Sequence, residues 1–198
     1  MSPAAPRRGR RPGAPDTRAA ILAAASERFA AQGYAGTSVR SIATAAGVDA
    51  ALVHHYFGTK DDLFVAALQL PVDPRERLAA VIANGPEGAG EQMLRVFLSV
   101  WDDPELQLPL IGLARSILEP SGQRLLRDGF LPAVLLPVGV ALGIDRPDVR
   151  MPLVASQVIG LIVTRYLLAV EPLASMPAED LVVVYGPTIQ RYLTGPLP

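Results

Sequence analysis

The stretch Gly33 to Phe64, GYAGTSVRSIATAAGVDAALVHHYFGTKDDLF, constrains the chain more than any other part of it. Val39, Ile42, Ala43 and Ala46 recur at helical spacing behind Ser38, a residue that caps helices. Gly47 then supplies the left-handed conformation that a sharp exit requires. Asp49 is an N-cap for a second helix, in which Leu52, Val53, Tyr56 and Phe57 carry the apolar surface, and Gly58 marks its end. Small Ala43 lets the two helices cross closely, so the segment predicts a pair of short helices joined at a steep angle by a tight turn.

Composition limits the rest. The chain has 198 residues, half of them hydrophobic, enough for a small domain and a larger one, each with a buried core. The absence of cysteine removes disulfides, thiolate metal sites and a cysteine nucleophile, and is compatible with a reducing cytoplasm. Arg165 interrupts the longest apolar run, Leu153 to Val170, and the N-terminus lacks the continuous apolar segment of a signal peptide, so a cytoplasmic protein with no membrane partner is expected. The net charge of −1 conceals an asymmetry: residues 1–60 hold eight basic and three acidic side chains, and residues 61–198 ten and sixteen. A basic end on an acidic body suits docking on a polyanion, although a charge run by itself is equally a solvated tail.

Pro and Gly punctuate the chain. Residues 1–15, with Pro3, Pro6, Pro12 and Pro15 among Arg and Gly, read as a disordered basic arm. A first helix runs from a cap at Asp16 or Thr17 to Gln32, with Ile21, Ala25 and Phe29 on one face and Gly33 as its stop. A helix from Lys60 to Leu70 is broken by Pro71 and Pro74, and further helices are expected at Arg75–Asn84, Glu91–Asp102, Leu106–Leu118 and Gln123–Leu142, with breaks at Pro109, Pro132 and Pro137. Two last helices, Asp148–Val170 and Ala178–Leu193, form an antiparallel pair; Leu181 to Tyr185 is the one short β-branched run. The domains are therefore drawn at 16–60 and 61–198.

The block Gly33-Tyr34, Thr37-Ser38-Val39, Ile42-Ala43, Ala46-Gly47-Val48, His55-Tyr56-Phe57-Gly58-Thr59-Lys60 and Leu63-Phe64 resembles the DNA-binding domain of the tetracycline repressor (TetR) family, over roughly residues 16 to 70. The resemblance implies an all-α protein, with an N-terminal three-helix helix-turn-helix domain and a larger helical domain for ligand binding and dimerisation. It implies that the second helix of the pair enters the major groove of double-stranded DNA, presenting Asp49, Ala50, Ala51, His54 and His55, with Thr37, Ser38, Arg40, Tyr56 and Lys60 around them. The guanidinium of Arg40 suits a guanine edge, a phosphate or a surface ion pair; Lys60 suits a phosphate; Thr37 and Ser38 suit capping as well as phosphate contact. His54 stands where the family often has tyrosine, and His55-Tyr56 reverses a common order. Adjacent histidines point about 100° apart on a helix and do not converge on one ion, so no metal is expected.

Two roles are open to the remainder. Leu153, Val154, Val158, Leu161 and Ile162 on one helix, with Tyr185, Ile189 and Tyr192 on the last, offer either ordinary core or a two-fold homodimer interface. Such a dimer would place two recognition helices on an inverted-repeat operator, with half-sites roughly 34 Å apart or more. Phe97, Trp101, Leu110, Arg115, Ile117, Phe130, Gln157 and Arg165 are candidates to line a pocket for a small apolar ligand. Arg165 needs a partner, with Asp102 and Glu171 the choices. No phosphate-cradling loop, Gly-x-Ser-x-Gly elbow or zinc spacing occurs, so neither catalysis nor a cofactor is expected. The expected function is a sequence-specific DNA-binding regulator, a repressor released by a small ligand; the alternative is a DNA-binding interaction protein of the same fold without an inducer.

Overall fold

A computed structural model describes residues 16–117 and 119–198; the expected basic arm, residues 1–15, lies outside them. Among the described residues every regular element is helical.

The helix caps fall where the side chains place them. Helix α1 (Thr17–Gly36) starts behind Asp16, whose carboxylate accepts from the Arg18 amide, and breaks at Gly33, where φ is 71°. The expected stop is thus a break, with one further turn beyond it. Ser38 and Ser41 form a reciprocal capping box at the start of α2 (Val39–Ala46), which ends at Gly47 in the left-handed region, φ 69°. Asp49 caps α3 (Ala50–Phe57) through the Ala51 amide, and Gly58 closes it. The amide of Val48 donates to the Ala43 carbonyl at 3.0 Å, locking the turn between α2 and α3.

Helix α4 (Lys60–Ala67) has its own capping box, Thr59 with Asp62, and ends at Ala67 rather than Leu70. Its Leu63, Phe64 and Val65 are buried with Ile21, Phe29, Ile42 and Val53, so α4 belongs to the core of the N-terminal head. Phe64 meets both Phe29 and Tyr34 edge-on, at centroid separations of 5.1 and 5.3 Å, a geometry favoured by the ring quadrupoles.

The second body comprises α5 (Pro74–Asn84), α6 (Ala89–Trp101), α7 (Pro104–Ser116), α8 (Pro120–Leu125), α9 (Leu136–Ala141), α10 (Pro147–Leu161) and α11 (Ala178–Thr194). Its core joins Leu94, Leu98, Met151, Val154, Leu161, Leu181, Ile189 and Leu193. Helices α6 and α11 approach closely at two glycines: a Cβ on Gly90 would lie 2.6 Å from the Gln190 amide, and one on Gly186 2.7 Å from Glu91 Cγ. The β-branched run at Leu181 to Tyr185 lies inside α11. There Leu181 and Val182 are buried by packing on the other helices, which outweighs their local strand preference.

The prolines act less uniformly than expected. Pro109 sits inside α7 without splitting it. Pro132 lies in a π-helical stretch, Leu126–Leu135, between α8 and α9; the wider ring moves the preceding carbonyls away from the pyrrolidine. The helix expected at Asp148–Val170 divides likewise into α10 and a π-helical stretch, Ile162–Leu167.

Candidate nucleic-acid interface and apolar cavity

Capping turns α3 outward. Val53 and Phe57 are buried on the head, and Asp49, Ala51, His54, His55 and Tyr56 lie on its open side. Ser38 and Arg40 on α2 are exposed beside them, and Ala50 is half-buried against the core. His54 Nδ1 lies 2.8 Å from the Gly58 carbonyl. A carbonyl only accepts, so Nδ1 is the donor of this pair.

Two expected contact residues are engaged elsewhere. Thr37 is buried, and its hydroxyl donates to the Gly33 carbonyl at 2.7 Å, bracing the break in α1. The Lys60 ammonium donates to the Tyr34 carbonyl at 2.6 Å and rests 4.0 Å from the Tyr34 ring centroid. Partial burial lowers its pKa from the ordinary lysine value. Tyr34 packs, as its place beside Gly33 suggests, and its hydroxyl donates to Asp61. Arg18, absent from the expected set, stands 5.1 Å from the centroid of Phe57 at the end of α3. Its only sequence signal is a cation in the first turn of α1.

A cavity of about 260 Å³ lies in the second body. Phe97, Trp101, Leu110, Ile117 and Phe130 line it as expected, together with Val158 and Ile162. Arg115, Gln157 and Arg165 do not line it. Arg115 is exposed, and Gln157 donates to Ser156 Oγ. Arg165, its side chain 10% exposed, binds Asp102 and donates to the Leu173 and Met176 carbonyls at 2.6 and 2.8 Å. Its partner is therefore Asp102 and not Glu171, and the guanidinium is a brace that joins the end of α6 to the loop before α11. Tyr166 donates to the same carboxylate; burial, followed by that hydrogen bond, raises its pKa. The lining also includes Leu68, Leu70 and Val72 from the α4–α5 linker and Pro74 at the start of α5. Sequence reasoning missed these because Leu68 and Leu70 fall in the expected helix Lys60–Leu70 and Val72 lies between the two prolines that break it.

Of the expected dimer residues, Val154, Leu161 and Ile189 are buried within their own chain and have no surface left for a partner. Leu153, Val158, Ile162, Tyr185 and Tyr192 are half-buried. The open apolar face of α11 belongs instead to Val183 and Val184, 70% and 60% exposed. Helix α11 is apolar on two sides, and its inner side is set by α6, a fact that hydropathy alone does not contain.

Among the described residues no group of acids and histidines is placed to hold a metal, and no helix is long and apolar enough to cross a membrane.

Comparison with known proteins adds an independent line. Residues 21–67 match the family model described as bacterial regulatory proteins, tetR family. Residues 87–193, more than half of the chain, match the tetracyclin repressor-like C-terminal domain. An HTH-type transcriptional repressor from Mycobacterium tuberculosis is 47% identical over 66 residues, 33% of this chain and 35% of its own length. The HTH-type transcriptional repressor AcnR of Corynebacterium glutamicum is 33% identical over 91 residues, 46% of this chain and 43% of its own. The chain thus spans about a third of the length of the first of these curated relatives. A solved TetR-family regulator from Streptomyces coelicolor A3 is 38% identical, covering 93% of this chain and 98% of that one, with a TM-score of 0.47. With both halves matched, the chain belongs to the tetracycline repressor (TetR) family of bacterial regulatory proteins.

Proposed function

We propose that the protein is a dimeric, sequence-specific DNA-binding repressor of the cytoplasm whose grip on an inverted-repeat operator changes when a small ligand fills the cavity. In this reading α3 enters the major groove and its open residues Asp49, Ala51, His54, His55 and Tyr56 meet base edges, with Ala50 allowing close approach. Arg40 and Ser38 flank it on the phosphates. Thr37 and Lys60 serve indirectly, by holding the Gly33 break and Tyr34 in place. The partner subunit packs against Val183 and Val184, with Leu153, Tyr185 and Tyr192 at the margin.

One observation supports the coupling above all others: Phe130 both lines the cavity and packs against the core of the head. Around it, Gly129 lies directly against the Phe64 ring, and Arg124 Nε donates to the Ala30 carbonyl at 3.2 Å. A ligand that moves Phe130 therefore acts on both the cavity wall and the packing beneath α3, a differential effect of the kind linkage requires.

Sequencing the genomic fragments retained by the purified protein tests the reading, followed by mobility shifts on the enriched site. An inverted repeat is expected, with Arg40→Ala weakening the complex and Val184→Asp yielding single subunits that bind a half-site weakly. A native protein that sediments as one subunit and ignores duplexes in dilute salt would overturn it.

A further inference from the structure

The cavity is almost devoid of polar groups. Beyond Trp101, only Ser116 and Arg77 among its lining residues have polar side chains. The Ser116 hydroxyl is already spent on the Leu113 carbonyl at 2.7 Å. A ligand rich in hydroxyls or amides would leave those groups unpaired against carbon, at a cost of order 1–3 kcal/mol each.

Arg77 is the exception. It lies on α5, exposed, and its guanidinium has no hydrogen bond or ion pair with any described residue. Arg75, two positions earlier on the same helix, is held by Asp62 and Asp73 at 2.7 and 2.8 Å. Arg95, Arg127, Arg150 and Arg165 likewise have acidic partners. The residue that borders the carbon-lined space is thus a cation with all five donors free, arranged as a fork that matches a carboxylate in two parallel hydrogen bonds.

We propose that the cavity takes an anionic amphiphile, a hydrocarbon body with a single carboxylate, its chain among Phe97, Trp101, Leu110 and Phe130 and its head on Arg77. The proposal rests on reading the cavity as the effector site and names the chemical class of the effector. It accounts for both features of the lining together: carbon surface for the body, and one uncommitted guanidinium where that surface meets water.

The chain's only tryptophan, Trp101, is in the cavity wall, so its emission reports occupancy directly. Full-length protein is titrated with decanoate and with decanol, which share a body and differ in the head, below their aggregation limits and at two salt concentrations. Decanoate is expected to change the emission saturably, about tenfold tighter than decanol, the worth of one partly solvated charge-assisted contact. That preference is expected to shrink in higher salt and to vanish in Arg77→Gln, while the variant keeps its affinity for decanol. Equal binding of the two probes by the native protein would overturn the carboxylate and leave the cavity reading standing. A preference that survives in Arg77→Gln would overturn the place of the head group. Silence of Trp101 toward both probes would overturn the amphiphile and the apolar effector site together.

Discussion

Replacing Gly129 by alanine probes the wall that the two halves share. A Cβ there would lie 2.2 Å from Phe64 Cζ and 2.6 Å from its Cε2, about 1 Å inside ordinary carbon contact at roughly 3.5 Å. The ring cannot swing clear, because Phe64 is fully buried and bracketed edge-on by Phe29 and Tyr34. Overpacking of this kind costs about 1–3 kcal/mol. Removing a glycine from a helical segment returns about 0.5–1 kcal/mol. With so short a contact the clash wins, leaving a net loss of about 1–2 kcal/mol, or a melting temperature lower by about 2–8 °C in a chain of this length. Gly112 in α7 supplies the control, since nothing lies within 4 Å of its added Cβ. Gly112→Ala should therefore raise the midpoint by about 1–4 °C from helix propensity alone. Thermal melts followed by circular dichroism at constant protein concentration measure both. If Gly129→Ala folds too poorly to melt cleanly, the double variant with Phe64→Leu should recover stability, with a coupling of at least about 1 kcal/mol. Equal stabilisation by both alanines would refute the argument, because it would mean that Phe64 yields and the wall is loose.

Three further outcomes follow from side chains already described. Ser38→Ala removes one half of the α2 capping box and should cost about 1 kcal/mol in a denaturant titration, with Ser38→Gly costing only a few tenths. Arg165→Met removes the cation paired with Asp102 and the donor of two carbonyls; because Asp102 keeps the Tyr166 hydroxyl and access to water, the expected loss is about 2–3 kcal/mol, below that of a fully buried pair, and a melt unchanged by the variant would contradict the brace. Hydrogen bonding from Thr59 above all, and then the Arg75 guanidinium, holds the Asp62 pKa below its ordinary value, and Arg75 does the same for Asp73. A carboxyl depressed in the folded state stabilises above its unfolded pKa and loses that contribution as pH falls through the lowered value, so the melting temperature should drop below about pH 4. Asp62→Asn should lie lower at neutral pH and fall less steeply in acid; an acid limb as steep as that of the native chain would contradict this.

The local grammar of the head was legible because its signals are short in range. Asp16, Ser38, Gly47, Asp49 and Gly58 act within one turn of themselves, and each appears as cap or terminus where the sequence places it. The orientation of Thr37 and Lys60 was not legible, since it depends on the Gly33 carbonyl and on Tyr34 once α1 has broken. In the second body, α5, α6 and α11 follow from periodicity, whereas the π-helical stretches do not: a widened turn has the same residue pattern as an ordinary one. The cavity set was half legible for a related reason. Aromatic residues at helical spacing point inward in any bundle, but the fate of Arg165 was fixed by Asp102, 63 residues away in sequence.

The burial of Ala133 and Val134 among the side chains of α1 to α4 bears on how such chains can be cut and recombined. A fragment ending after α4 would bare the back of Phe64, so the N-terminal head is not a portable cassette. A chimera that borrows it must also carry the stretch from Arg124 to Val134, although more than fifty residues separate that stretch from the end of α4. Grafts joined at the α4–α5 linker alone should yield sticky, poorly soluble material, however well each half folds in its parent.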